Sequence, residues 1–179
     1  MSHISVIISY PLEIFILKEK IEPYNKLFFK LVYTSQKDKD DYDTFKNAAM
    51  DNNRQLILIK TKKGRRFAIY SSEKIFSSKG KQDQEIIDKK AFIFSLDKKI
   101  FFYSNEGKPC LIQSPSKPYL IKLADNSIYI KNNFKEEKHF LMQSSRAFQI
   151  NNICNELNGG DRDFDIAFIE IYKVEINNI

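Results

Sequence analysis

Two short runs, Phe92-Ile93-Phe94-Ser95-Leu96 and Ile100-Phe101-Phe102-Tyr103, constrain this chain more than any other stretch. Both are aromatic and β-branched, and only Asp97-Lys98-Lys99 separates them, a connection of hairpin length. Phe92, Phe94 and Leu96 alternate with Ile93 and Ser95, so both faces of the first run are largely apolar. A strand of that kind is covered on both sides, which places it centrally in a layered β structure.

The rest of the chain agrees with such a body. Residues 12–22 read as a short helix: Pro11 suits its first turn, Ile14, Leu17 and Ile21 share a face, and Pro23 ends it. Residues 27–33 are an apolar strand. Asp41 is the N-cap of a helix reaching residue 50, with Tyr42, Phe45 and Ala49 as its buried stripe. A hairpin follows, with strands 55–60 and 66–70 and Gly64 free to take positive φ in the tip. One helical turn over 72–77 is expected to bury Ile75 and Phe76, and 79–90 reads as a mobile polar loop. After the turn Asn105-Glu106-Gly107-Lys108 comes a short strand near Leu111 and Ile112, then a Pro-bounded loop at 114–118. A third hairpin, 119–123 with 127–131, turns at Ala124-Asp125-Asn126. Residues 134–148 fit no single element. Asn158-Gly159-Gly160-Asp161 turns into a long strand over 164–174, whose alternation slips after Phe168, the mark of a β-bulge or of burial on both faces. The fold class expected is α+β and mainly β: two antiparallel sheets packed as a β-sandwich with a few short peripheral helices. Residues 1–26 form an N-terminal extension whose helix packs on the domain, and residues 27–179 form the sandwich.

Composition narrows the function classes. A chain of 179 residues, 42% hydrophobic and 29% charged, is an ordinary globular protein with room for a sizeable core. Its two cysteines, Cys110 and Cys154, form neither a zinc pattern nor a secreted framework, so a reducing compartment is expected. The apolar N-terminal run is broken by Ser9, Tyr10, Pro11 and Glu13 and lacks a basic leader, so neither a signal peptide nor membrane insertion is expected. The expected address is cytoplasmic, with a cytoskeletal or ciliary association as the narrower alternative. The net charge of +6 admits nucleic acid, an anionic membrane or an acidic protein as partner. Joint richness in Lys, Asn and Ile also matches A/T-rich codons.

The order of these pieces resembles a TLDc domain over residues 27–174. Leu31-Val32-Tyr33-Thr34-Ser35-Gln36-Lys37-Asp38 is similar to the family's opening, and Leu56-Ile57-Leu58-Ile59-Lys60 to its Thr-Leu-x-Leu-Ile-Lys strand. Residues 88–96 are similar to its Ala-Phe-Leu-Phe-Ser-Leu strand, and Ile169-Glu170-Ile171-Tyr172 to its closing strand. Ala68 and Ile69 replace two glycines, Arg54-Gln55 a Gly-Pro, and Phe168 one of two closing-strand glutamates, while Glu170 is kept. The chain thus resembles a divergent member. The resemblance implies a non-catalytic protein-interaction or scaffold module that docks onto a larger assembly, with the vacuolar proton-pumping ATPase as the family-based candidate. It also implies a link to oxidation resistance, and it carries no catalytic residues.

Two clusters of cations bear on docking. Lys60, Lys62, Lys63, Arg65 and Arg66 cluster at one hairpin, and Lys98 and Lys99 at another. If the intervening excursion returns to the end it left, the two tips form one cationic surface suited to an acidic protein partner. Solvated turns are the plainer reading. Nucleic acid is disfavoured because the neighbouring aromatics, Phe67 and Tyr70, read as core. Asp161-x-Asp163-x-Asp165 lacks the glycine and glutamate of a calcium loop. His3, His139, Cys110 and Cys154 have no metal-ligand spacing, and there is no Gly-x-Ser-x-Gly elbow and no phosphate-cradling loop. No catalytic residue, metal or cofactor is expected. The alternative is a redox-protective protein or enzyme with a dispersed site around Cys110.

Overall fold

A computed structural model describes residues 5–22, 26–38, 41–50, 52–75, 84–113, 119–131, 133–141 and 143–177. Its elements run in chain order as α1 (Pro11–Ile21), β1 (Lys26–Thr34), α2 (Tyr42–Ala49), β2 (Gln55–Thr61), β3 (Arg66–Ser71), β4 (Gln84–Ile86), β5 (Phe92–Ser95), β6 (Ile100–Tyr103), β7 (Leu111–Gln113), β8 (Tyr119–Lys122), β9 (Ile128–Lys131), β10 (His139–Leu141), α3 (Ile153–Asn158), β11 (Asp163–Phe164) and β12 (Ile166–Asn177). Six strands make one sheet in the order β1-β12-β2-β3-β5-β6, four make a second in the order β11-β10-β9-β8, and β4 pairs with β7. The mainly β sandwich with short helices read from the sequence is the observed architecture.

Strand alternation splits the core in two. Ile57 and Ile59 of β2, Phe67 and Ile69 of β3 and Ile93 of β5 face the second sheet. Leu56, Leu58, Ala68, Tyr70, Phe92 and Phe94 face the other way, together with Tyr172 and Val174 of β12. Ile7, Leu17 and Ile21 of the N-terminal segment bury that outer face. Each such side chain contributes about 1.5–3 kcal/mol on burial. The two-sided apolar pattern of 92–96 is therefore correct, but its position is not central. β5 lies next to the edge strand β6, whereas β2 and β3 occupy the middle. Layers above and below decide burial, and rank within the sheet does not.

Local chemistry explains most element ends. Asp41 caps α2, accepting from the Thr44 N–H at 2.9 Å, and Phe45 and Ala49 are buried beneath it; the Tyr42 side chain lies outside the described residues. The slip in β12 is a bulge: Ile166 opposes Thr61 while Phe168 opposes Lys60, with Ala167 between them. On α1 the expected stripe is rotated. Leu17 and Ile21 are buried, Ile14 is 37% exposed, and Glu13 takes the inward place instead. Residues 134–148 supply β10 and a turn closed by the Ser145–Ile150 bridge. Within 79–90, residues 84–86 form β4 and Asp88 is buried, so this part is not the mobile loop expected. Ile75 is buried as expected, while Phe76, Ser77 and residues 79–83 and 114–118 lie outside the described residues. Helix α3 has no counterpart in the sequence reading. Asn152 caps it and Gly159, at φ +67°, closes it.

Candidate functional site

The two basic tips meet because of strand order. β3 pairs with β5, Phe67 opposes Ser95, and the Leu96 N–H donates to the Arg66 carbonyl at 3.1 Å. The β2–β3 turn is tight: Gly64 sits at φ +84°, its N–H donates to the Thr61 carbonyl at 2.9 Å, and the Arg65 N–H donates to Thr61 Oγ1 at 3.0 Å. In the β5–β6 turn Lys99 takes φ +59°.

A third segment joins this end. Helix α3 and the turn after it bring carboxylates against the cations. Lys63 Nζ lies 2.6 Å from Asp161 and Lys98 Nζ lies 3.1 Å from Glu156. The Arg65 guanidinium lies over Gly159, which has no side chain to block it. The Lys62 N–H donates to the Asp165 carbonyl at 2.8 Å. A cleft of about 280 Å³ opens between the β2–β3 tip and the chain entering β11. Lys62, Lys63, Lys138 and Arg162 line it opposite Asp161, Asp163 and Asp165. Lys138 lies in the charged run Lys135-Glu136-Glu137-Lys138, and nothing in the sequence marks Arg162 as part of this end.

The seven cations therefore have different fates. Arg66 is not a surface cation. Its Nε donates to Asp97 at 2.9 Å and its Nη2 lies 3.0 Å from Glu13, with its side chain only 13% exposed. Burial works against its charge, but hydrogen bonds to Asp97 and Glu13 outweigh that and raise its pKa above the ordinary value. Lys63 and Lys98 are paired across exposed or half-exposed surface, where such pairs contribute little to stability and exchange readily. Lys60, Lys62, Arg65 and Lys99 make no ion pair among the described residues. Of these, Lys62, Arg65 and Lys99 are exposed at the tips and Lys60 is half-buried.

The groups with catalytic potential are held in structural roles. Cys110 is fully buried, and burial pushes its thiol up to about 11, so it carries almost no thiolate at neutral pH. Cys154 is buried, with its pKa also raised by burial. His139 accepts from the Lys131 N–H through Nδ1 at 3.0 Å and donates through Nε2 to the Phe134 carbonyl at 2.8 Å, which fixes a neutral tautomer. Burial lowers its pKa, and nearby Lys131 adds to the effect against the pull of the Phe134 carbonyl. His3 lies outside the described residues. Asn158 Nδ2 donates to the carbonyls of Asp161 and Asp163, which shapes the turn into β11. Among the described residues no cluster of three His, Cys, Asp or Glu side chains could hold a metal ion, and no helix is long and apolar enough to cross a membrane.

Comparison with protein-family models gives a match to the TLDc domain over residues 3–175. A search of the curated proteins finds no match.

Proposed function

Since this chain belongs to the TLDc domain family, we propose that it is a non-catalytic docking module that attaches to a larger protein assembly through its basic end. The observation that carries this reading is the convergence of three chain segments at one end of the sandwich. There Lys62, Arg65 and Lys99 stand exposed without ion pairs among the described residues, beside Lys138 and Arg162 in the cleft. Strands and a capped helix flank the turns that carry these cations, so binding orders side chains on a backbone already in place, which lowers the cost of association. The interleaved carboxylates favour a protein surface of mixed but mainly acidic charge over a uniformly anionic polymer. The first partner to test is the peripheral sector of the vacuolar proton pump, and the second is a microtubule.

The redox reading has no support at its own candidate, because the Cys110 thiol is buried and protonated. Cytoplasmic location follows from the same proposal, since the partner surfaces considered face the cytoplasm.

The test is co-sedimentation of the full chain with each purified assembly at rising salt. Binding is expected to weaken as the Debye length falls below about 10 Å. The variant Lys62→Glu/Arg65→Glu/Lys99→Glu is expected to bind at least tenfold more weakly while unfolding at the wild-type temperature. A triple variant that sediments like the wild type with either assembly refutes the assignment of this end.

A further inference from the structure

The outer face of the six-stranded sheet is apolar from Leu56 and Leu58 of β2 through Ala68 and Tyr70 of β3 to Phe92 and Phe94 of β5. A patch of that size does not stand open to water in a soluble protein. The chain covers it with its own residues 5–22, and the cover is attached in a specific way. At one end Glu170, fully buried, accepts from Ser5 Oγ at 2.5 Å and from the Val6 N–H at 3.0 Å. At the other, Arg66 Nη1 donates to the Ile7 carbonyl at 3.0 Å and to Ser9 Oγ at 3.1 Å, while its Nη2 meets Glu13. Between and beyond these latches Ile7, Leu17 and Ile21 are buried as plugs.

These contacts amount to a recognition code. The groove takes an extended segment, then a helix with a carboxylate in its first turn and apolar side chains four and eight positions later, as Glu13, Leu17 and Ile21 are placed. Arg66 sets the place of the carboxylate: Asp97 meets its Nε, while its Nη2 is met by Glu13 of the strap. Helix α1 also depends on the groove for its existence. It has 11 residues, and its N-cap Tyr10 makes no side-chain cap bond. A helix of that length is marginal alone in water. Its ordering is thus coupled to docking, as for a peptide ligand that folds as it binds. On its outward side Leu12 is 53% and Phe15 59% exposed, while Lys18 and Lys20 reach back over the Phe29 and Phe101 rings.

We propose that this face is a helix-binding groove which the chain fills in cis with residues 5–22, and that a partner helix of the same chemistry displaces this strap and takes its place. The groove works by the helix-in-groove mode, with apolar anchors at helical spacing supplying affinity and the Arg66–carboxylate pair supplying register. The strap competes at the high effective concentration of a tethered ligand, so a free helix succeeds only when the strap is weakened or the partner binds better. The proposal is independent of the basic docking end, and its test uses no outside assembly.

The experiment is fluorescence anisotropy with a labelled peptide of residues 5–22 against the full chain. With Glu13→Arg the chain's own strap no longer suits Arg66, and the peptide is expected to bind at least tenfold more tightly than to the wild type. A peptide carrying Glu13→Arg is expected to lose that gain on the same chain, because it meets Arg66 with a second cation. Glu13→Ala is run beside the reversal in case a second cation against Arg66 prevents folding. Equal binding to wild type and variants, or binding to none, overturns the proposal. Hydrogen exchange on the wild type gives a readout free of variants. Amides of α1 are expected to exchange together, at least a hundredfold faster than those of β2 and β3, and exchange only through global unfolding overturns the proposal as well.

Discussion

Asp88 offers the sharpest test of how the polar interior is built. Its carboxylate is buried and accepts from Ser71 Oγ at 2.9 Å, the Ser72 N–H at 2.6 Å, Ser72 Oγ at 2.7 Å, the Glu73 N–H at 3.3 Å and the Lys90 N–H at 2.9 Å. It ties the end of β3 to the start of β5 across the excursion between them. In Asp88→Ala all five donors lose this acceptor. A hydrogen bond to a charged group contributes about 1.5–3 kcal/mol and a neutral one about 1 kcal/mol. Ser71 Oγ also lies 3.0 Å from the Glu73 carbonyl, and the half-buried donors regain water, so the sum is well below five full bonds. The net expected loss is about 3–4 kcal/mol. Asp88→Asn is the more telling variant. Ser72 N–H and Glu73 N–H aim at one oxygen and Lys90 N–H at the other. Either orientation of an amide therefore sets its NH₂ against a backbone donor, and the expected loss is about 2–3 kcal/mol. Urea unfolding at neutral pH measures this as a lower midpoint at unchanged slope. Thermal unfolding is expected to shift by roughly 2–4 °C per kcal/mol for a chain of this size. An Asn variant within about 0.5 kcal/mol of wild type would show that neither the carboxylate's charge nor its acceptor geometry carries stability, and would overturn this account of the polar interior.

Three further outcomes follow from the same structure. Gly159→Ala meets both a left-handed backbone, φ +67°, and the Arg65 guanidinium 3.0 Å from the new methyl, so a loss of about 1–2 kcal/mol is expected in urea unfolding, with Arg65 displaced. Acid lability has two expected sources with the same sign. For Asp125 burial raises the pKa, but hydrogen bonds from the Ala147 N–H, Ser127 and Ser145 outweigh it and hold it below the usual value. For His139 burial lowers it. A depressed folded pKa means the unfolded chain binds the proton first. The His139 contribution is thus whole above about pH 6.5 and lost as pH falls through its lower folded value, and the Asp125 contribution is whole above about pH 3.9 and lost further down. His139→Gln and Asp125→Asn are expected to flatten the stability-against-pH curve in those two windows respectively. Cys110 is expected to resist a thiol reagent in the folded chain and to react on unfolding, and peroxide protection, if the protein confers any, is expected to survive Cys110→Ala.

What could be read in advance, and what could not, divides along a physical line. Strands announced themselves because alternation is a local pattern: Leu56 to Ile59 and Phe67 to Tyr70 each write out both of their faces. The Asp41 cap, the Gly64 turn and the bulge near Phe168 are also local, each settled within a few residues. The role of Arg66 was not legible, because its partner Glu13 lies 53 positions away and a run of five cations gives no sign of which one turns inward. Helix α3 escaped for a different reason. At six residues it is too short to show a periodicity, and its cap Asn152 stands in an Asn-rich stretch that offers several equal candidates. The candidate docking end was legible as two basic tips, while the acidic lining from Glu156 and Asp161 appears only when α3 folds beside them.

The same line explains why polar groups are placed on an apolar face. Leu56, Leu58, Ala68, Tyr70, Phe92 and Phe94 give the N-terminal segment a hydrophobic surface with no preferred register, since apolar contact is non-directional. A segment lying on such a face could slide or turn at little cost. Glu170 and Arg66 remove that freedom, because a buried charge is tolerable only where its partners meet it. Glu170 fixes residues 5 and 6, and Arg66 fixes residues 7, 9 and 13, so two latches on neighbouring parts of one sheet set both the position and the direction of the segment. The family match begins at residue 3, so the segment and its latches lie inside the matched stretch. Glu170 therefore has a physical reason to be buried in β12, since it holds the start of the cover over the sheet to which its own strand belongs.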